Sequence, residues 1–232
     1  MTQDTGGVNA RAYSQTLGNG LRVLELLRAH RQGLGVNAIA TELGMHRTVV
    51  YRLLGTLRAH NLVVTGQDGR HRHGLGLLEL AGAVRADLRQ AAEPQLAQLA
   101  EQVAATAFLA IAEHGEAVSA CVVEPSNAQL HVSYRLGIRH PLTVSAAGLA
   151  ILAGRPPAAD ERPEITTARE RGYAVTSGEL QSGAWGMATA LPSSSGQPGA
   201  SIGVIALAEL DAQTVAPALR RAAAAISGKV ET

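Results

Sequence analysis

Aromatic residues are scarce in this chain: Phe, Trp and Tyr together make up 3% of its 232 residues, with one Phe and one Trp. A core must therefore be assembled from Ala, Leu, Val and Ile. Cysteine is rarer still. The single Cys121 excludes an internal disulfide framework and a thiolate zinc finger, and its place within the β-rich run 117–123 reads as a strand thiol. No apolar segment follows Met1, and the charge-free stretch 181–208 is broken by Gly, Ser, Pro192 and Pro198, which argues against export and against a membrane span. The expectation is a cytoplasmic protein. Catalytic signatures are missing as well. Ser193-Ser194-Ser195-Gly196 has turn composition, not that of a nucleophile elbow, and no glycine loop has phosphate-binding spacing. His71 and His73 alternate on a strand, but no cysteine or carboxylate accompanies them at ligand spacing. No enzyme, metal or cofactor is expected.

Charge is nearly balanced overall, at +1, but unevenly placed. The first 75 residues hold nine Arg against four acids, plus five His, whereas the remainder is net acidic. A polyanion would be attracted to the first third and repelled by the rest.

Within that basic third, VNAIATELGMHRTVVYRLLGTL (36–57) reads as two short helices around a tight turn. Ile39, Ala40 and Leu43 recur at helical spacing, Gly44 permits the reversal, and Val50, Leu53, Leu54 and Leu57 form a second apolar stripe. Small Ala40 sits where two helices cross closely. This is a helix-turn-helix. The outer side of its second helix, starting near His46, carries Arg47, Thr48, Tyr51 and Arg52. Leu62-Val63-Val64, a turn at Gln67-Asp68-Gly69 and the returning Arg70-His71-Arg72-His73 add a basic hairpin, so the unit reads as a winged helix. Arg47 and Thr48 are the candidates for base edges; His46, Tyr51 and Arg52 for groove wall or phosphate; Arg70 and Arg72 for the backbone or minor groove. The partner implied is double-stranded DNA.

Residues 1–13 read as a loose arm and 14–75 as the winged helix, whose first helix spans 17–31 with its cap at Thr16 or Asn19 and packs behind the motif. The pattern 75–103 is helical but contains Pro94. A helix break is expected just before that proline, leaving 76–93 as a linker helix whose apolar stripe invites a second copy, and 94–232 as the last domain. There, strands at 107–112, 118–123, 130–134, 173–175, 187–191 and 202–207 alternate with helices at 145–153, 162–171 and 211–226, and 193–199 reads as a hairpin loop. The fold class is α+β with an antiparallel sheet.

This order of parts resembles the IclR family of bacterial transcription regulators from Leu17 to Ser227. The residues that carry the resemblance are LRVLELLRAHRQGLGVNAIATELGMHRTVVYRLLGTLRAHNLV, then HGLGLLELAG, RLGIRHPLTVSAAGLAILA, RGYAVTSGELQSGAWGMA and SIGVIAL. The resemblance implies a repressor-type regulator that binds a palindromic or repeated operator as a homodimer or dimer of dimers. It also implies a GAF-like domain that takes a small organic effector beside the helix after Pro141. Carried over residue by residue, Val132, His140, Ala146 and Ala147 would form one wall, and Thr176, Ala184, Gly186, Gly203 and Ile205 the other. Members of the acid-sensing type have Asp, Cys, Ser and Ser at the places of Thr176, Gly186, Gly203 and Ile205, and a Lys at Leu149. Losing those anchors points to a more hydrophobic or aromatic effector, held by His140, Thr176 and the N–H groups of Ala146 and Ala147. The segment 153–169 is short for the family. The alternative reading is a winged-helix DNA-binding protein whose last domain serves only oligomerisation.

Overall fold

The computed structural model describes residues 13–126, 134–192 and 199–230. It divides into two compact units with the boundary between Val84 and Arg85.

The first unit contains α1 (Gln15–Ala29), α2 (Val36–Leu43), α3 (Arg47–Ala59), a two-stranded hairpin of β1 (Val63–Thr65) and β2 (His71–His73), and α4 (Gly76–Gly82). Neither Thr16 nor Asn19 caps α1. The Ser14 hydroxyl does so, accepting the Leu17 N–H at 3.4 Å, while Asn19 lies inside the helix and binds the side chains of Gln15 and Arg22. Val23 and Leu27 of α1 pack with Ile39, Ala40, Val50, Leu53, Leu54, Leu57 and Val63 into one aliphatic core. Leu21, by contrast, is exposed. Between α2 and α3 the chain reverses at Gly44, whose φ of +63° no β-carbon tolerates cheaply. Its N–H bonds the Thr41 carbonyl at 3.2 Å and the next, from Met45, bonds Ala40 at 2.9 Å; together they satisfy the end of α2 in a Schellman closure.

The second unit begins with α5 (Ala86–Val103) and continues through β3 (Thr106–Glu113), β4 (Glu116–Val123), β5 (Arg139–Pro141), α6 (Ala146–Ala153), α7 (Pro163–Arg171), β6 (Ala174–Ser177), β7 (Trp185–Ala190), β8 (Ala200–Ala206) and α8 (Ala212–Val230). The six strands form one antiparallel sheet in the order β5-β4-β3-β8-β7-β6. One face packs on α5 and α8 through Leu96, Leu99, Leu109, Met187, Ile202, Leu219 and Ile226; the other packs on α6 and α7 through Phe108, Leu149, Ile151, Ile165 and Ile205. The helix break expected before Pro94 is not there. α5 runs through the proline, and the interruption falls at Arg85, with φ of +47°. Proline removes one helical hydrogen bond, but Ala91, Ala92, Leu96, Leu99 and Ala100 bury a continuous stripe along α5, and that burial outweighs the loss. The hairpin between β3 and β4 turns on His114 and Gly115, both left-handed, as the twist of a two-residue turn requires. β5 was not anticipated: it is three residues at the sheet edge ending in a proline, where a missing N–H costs no ladder bond. The strand expected at 130–134 lies outside the described residues except for Tyr134, as does most of the 193–199 loop.

Candidate nucleic-acid interface and effector pocket

Burial of Val50, Leu53, Leu54 and Leu57 fixes the rotation of α3, and the opposite side then faces solvent with Arg47, Thr48, Tyr51 and Arg52 all exposed. His46 is the N-cap. Its Nδ1 accepts the Thr48 N–H at 3.4 Å and lies 3.2 Å from the Thr48 hydroxyl, so His46 organises the start of the helix as well as standing at its surface. The guanidinium groups of Arg47 and Arg52 and the Tyr51 hydroxyl make no hydrogen bond or ion pair among the described residues. Val49, also exposed, extends this face.

The wing is different. Asp68 accepts two hydrogen bonds from Arg72, at 3.1 and 2.6 Å, plus the Arg70 N–H at 3.1 Å. The bonds from Arg72 and Arg70 hold the Asp68 carboxyl down at about 2. Arg70 reaches away from the hairpin tip to donate to the Gly33 carbonyl at 3.1 Å. Both wing arginines expected at a nucleic-acid backbone are thus committed to partners within the first unit. His71 and His73 have separate protein partners too: His71 Nδ1 pairs with the Thr65 hydroxyl at 3.1 Å, and His73 Nε2 with the Leu24 carbonyl at 2.8 Å. Burial and the charge of Arg58 push the His71 imidazole below its ordinary value.

In the second unit, Ala146, Ala147, Thr176, Ala184, Gly186 and Ile205 come together around one hollow. His140 and Gly203 do not line it, and Val132 lies outside the described residues. The reason at Gly203 is steric. A β-carbon there would meet Phe108 Cζ at 2.4 Å, so the Phe108 ring occupies the volume a serine would take. Phe108 packs against Tyr134 in a tilted pair, ring centroids 5.2 Å apart and planes at 52°, and both rings line the pocket. The free space that remains is about 30 Å³, room for one or two waters. Small wall residues have therefore not left a large hole.

Several polar groups around the pocket are engaged with one another, but the buried indole N–H of Trp185, which lines the hollow, has no acceptor among the described residues. The Ala146 N–H, expected to be open to a ligand, donates to Thr176 Oγ1 at 3.2 Å, which leaves the Thr176 proton free to donate. His140 is buried behind the wall. Its Nε2 lies 3.1 Å from the Tyr134 hydroxyl and its Nδ1 3.2 Å from Ser145 Oγ, which also caps α6 by accepting the Gly148 N–H. Burial pushes the His140 imidazole below its usual range and raises the Tyr134 hydroxyl to about 12, so both are neutral near pH 7. The Pro141 carbonyl 3.3 Å from Nδ1 can only accept, which places the imidazole proton on Nδ1 and leaves Nε2 to accept the Tyr134 O–H. Beside the pocket, Arg162 donates to both oxygens of Glu179, at 2.9 and 3.1 Å, and to the Thr143 carbonyl. Glu179 lines the hollow, so this tie sits at its edge. Sequence reading missed Phe108, Tyr134, Ser145, Glu179, Leu180 and Trp185. Three aromatics in an aromatic-poor chain were the available signal, together with a serine immediately before an apolar helix.

A winged helix-turn-helix followed by a six-stranded antiparallel domain is the architecture of a one-chain transcription regulator. More specifically, residues 16–66 match the IclR helix-turn-helix domain and residues 81–162 the C-terminal domain of the bacterial transcriptional regulator IclR. The chain belongs to the IclR family. It is 28% identical to the HTH-type transcriptional regulator TtgV of Pseudomonas putida over 67% of this chain and 60% of that one, and 31% identical to the HTH-type regulator Rv1719 of Mycobacterium tuberculosis over 67% and 58%. The chain thus spans about 60% of the length of these relatives. The same fold occurs in an IclR homolog from Microbacterium hydrocarbonoxydans complexed with 4-hydroxybenzoate, with a TM-score of 0.79 and 24% identity over 94% of this chain and 99% of that one. It occurs as well in the IclR of Thermotoga maritima, with a TM-score of 0.77 and 23% identity over 95% and 100%. No helix among the described residues is long and apolar enough to cross a membrane.

Proposed function

We propose that the chain is a transcriptional repressor that places α3 in the major groove of a double-stranded operator and releases or tightens that grip when a small organic effector binds the second unit. The observation that carries this reading is the outward face of α3, where Arg47, Thr48, Tyr51 and Arg52 are exposed and the two guanidinium groups have no partner among the described residues. Charges held out of the fold's own hydrogen bonding meet phosphates and base edges without first breaking an internal bond. Arg47 and Thr48, at the tip of the helix, read bases; Tyr51 and Arg52, one turn on, hold the groove wall and backbone, with His46 positioning the tip. Arg70 and Arg72 shape the wing and give a weaker electrostatic contribution.

A homodimer is part of the proposal. Leu75, Leu78, Leu80 and Val84 are 74, 68, 62 and 59% exposed on and around α4, a dense run of uncovered apolar side chains, and Leu17 and Leu21 of α1 are 64 and 50% exposed. A second copy supplies a matching face, and a two-fold dimer fits a palindromic or repeated operator.

The effector pocket, with Ala146, Ala147, Thr176, Ala184, Gly186 and Ile205 on its walls and His140 and Gly203 behind them, takes an uncharged aromatic ring bearing a hydroxyl. Such a hydroxyl accepts from Thr176 and donates to the Tyr134 oxygen, while a carboxylate finds no cation among the lining residues. The relative complexed with 4-hydroxybenzoate supports a ring-sized ligand for this fold. Entry requires Tyr134 or the neighbouring segment at Glu179 and Leu180 to move, since the space at rest holds only water. The test is binding to duplexes enriched from a random-sequence pool, measured across salt concentrations with and without substituted phenols. Absence of duplex affinity even in dilute buffer sinks the reading; duplex affinity that no small molecule alters favours a second unit that serves oligomerisation alone.

A further inference from the structure

α6 touches two hollows, one at each end. Its first residues, Ala146 and Ala147, line the small pocket described above; its later residues, Ala150 and Ala153, line a half-open cleft of about 150 Å³, bordered also by Ala168 of α7 and by Ala190 at the end of β7. The second hollow has about five times the free volume of the first. It exists because four alanines and two glycines meet where larger side chains would fill the gap between α6, α7 and the sheet end.

Tyr173, Arg169 and Thr189 also line it, and the last two are already engaged. Arg169 binds both carboxylate oxygens of Glu161 and donates to the Ala153 carbonyl at 3.1 Å, and the Thr189 hydroxyl donates to the Gly172 carbonyl at 2.9 Å. The bonds from Arg169 hold the Glu161 carboxyl down at about 2, so the pair stays charged and closed on itself at neutral pH. An ionic ligand finds its counter-charge taken, and the four alanines give the cleft a mostly apolar floor that opens to solvent past the exposed Gly154 and Gly172. Its free space of about 150 Å³ is enough for one six-membered ring.

We infer that the cleft between α6, α7 and the end of β7 is a second ligand site, taking a small uncharged molecule of about one six-membered ring. This inference does not rest on occupancy of the first pocket or on DNA binding. Because both sites share α6, a ligand at the Ala153 end that shifts this helix changes the geometry offered at the Ala146 end.

Alanine lines both hollows, so one experiment separates them. The full chain is labelled at alanine methyl carbons and titrated with benzene, following each methyl resonance by NMR. The expected result is saturable shifts at Ala150, Ala153, Ala168 and Ala190 with a dissociation constant on the order of 1 mM. Ala190→Leu, which fills the cleft from the half-buried strand end, is expected to weaken this binding at least tenfold while leaving the Ala146, Ala147 and Ala184 resonances in place. If that spectrum shows the strand disturbed, Ala153→Met fills the same space from the helix. Shifts confined to Ala146, Ala147 and Ala184, shifts linear in benzene without saturation, or binding untouched by a filler that leaves the fold intact each overturn the inference.

Discussion

The two units of this chain handle their polar side chains in opposite ways. On α3 of the first unit, arginine and tyrosine point outward with no partner among the described residues, ready for a partner molecule. At the pocket of the second unit, Ser145, His140 and Tyr134 hydrogen-bond one another, Ser145 and Thr176 accept from the start of α6, and the Thr176 proton and the Trp185 N–H are the donors left open. The difference teaches that a polyanion can dock on the first unit with little rearrangement, whereas a ligand of the second must compete with bonds already made. The wing sits between these extremes. It has the composition of a contact surface, but Asp68 and Gly33 have claimed its arginines.

The largest effect is expected from removing the free charges of α3. Arg47→Ala with Arg52→Ala should weaken operator binding about 100-fold at moderate salt and flatten the dependence of log K on log salt by roughly two units, one per lost contact. Titrations across salt concentration read both quantities; an unchanged slope breaks the contrast between the units. Next come the bonds at the start of α6. Thr176→Val leaves the buried Ala146 N–H without its acceptor and should cost about 1–3 kcal/mol in the second unit, seen as a drop of several degrees in its melting transition. If the variant melts like the parent, Thr176 does not hold the start of α6.

A smaller and opposite effect sharpens the contrast at the wing. Asp68→Asn releases Arg72, so duplex affinity should rise and the salt slope steepen by up to about one unit. No change would mean that Arg72 never reaches the backbone. The smallest effect is in pH. Burial sets the folded-state pKa of His140 below its ordinary value, and His71 is shifted the same way by burial and Arg58. As pH falls below about 6.5 the unfolded chain takes up protons that the folded chain refuses, so stability is full above that value and declines beneath it. His140→Gln should flatten this decline in the second unit, as followed by urea denaturation between pH 7 and 5.

Local signals made the first unit readable. Gly44 had to be left-handed, the stripe from Val50 to Leu57 fixed the rotation of α3, and Gln67-Asp68-Gly69 marked the hairpin. Most strands of the second unit followed from alternation and turn residues in the same manner. What escaped the sequence depends on distant partners. Pro94 reads as a helix break until the sheet and α8 are seen to hold α5 together across it, and β5 is three residues that become a strand only beside β4. The pocket wall was half legible. Gly203 stands within the family's motif, but that Phe108 fills the space above it follows from the pairing of β3 with β8, which no local pattern contains.

The fork from Arg162 to Glu179 and Thr143 has a kinetic consequence. Its partners are 35 and 27% exposed, so counterions reach and screen them. Concentrated electrolyte should therefore loosen this fastener and speed admission of a neutral guest to the hollow behind it, while the same electrolyte strips the arginine face of α3 from its polyanion. Ionic strength would then drive the two halves of one regulator toward opposite behaviours, quick to fill and slow to hold.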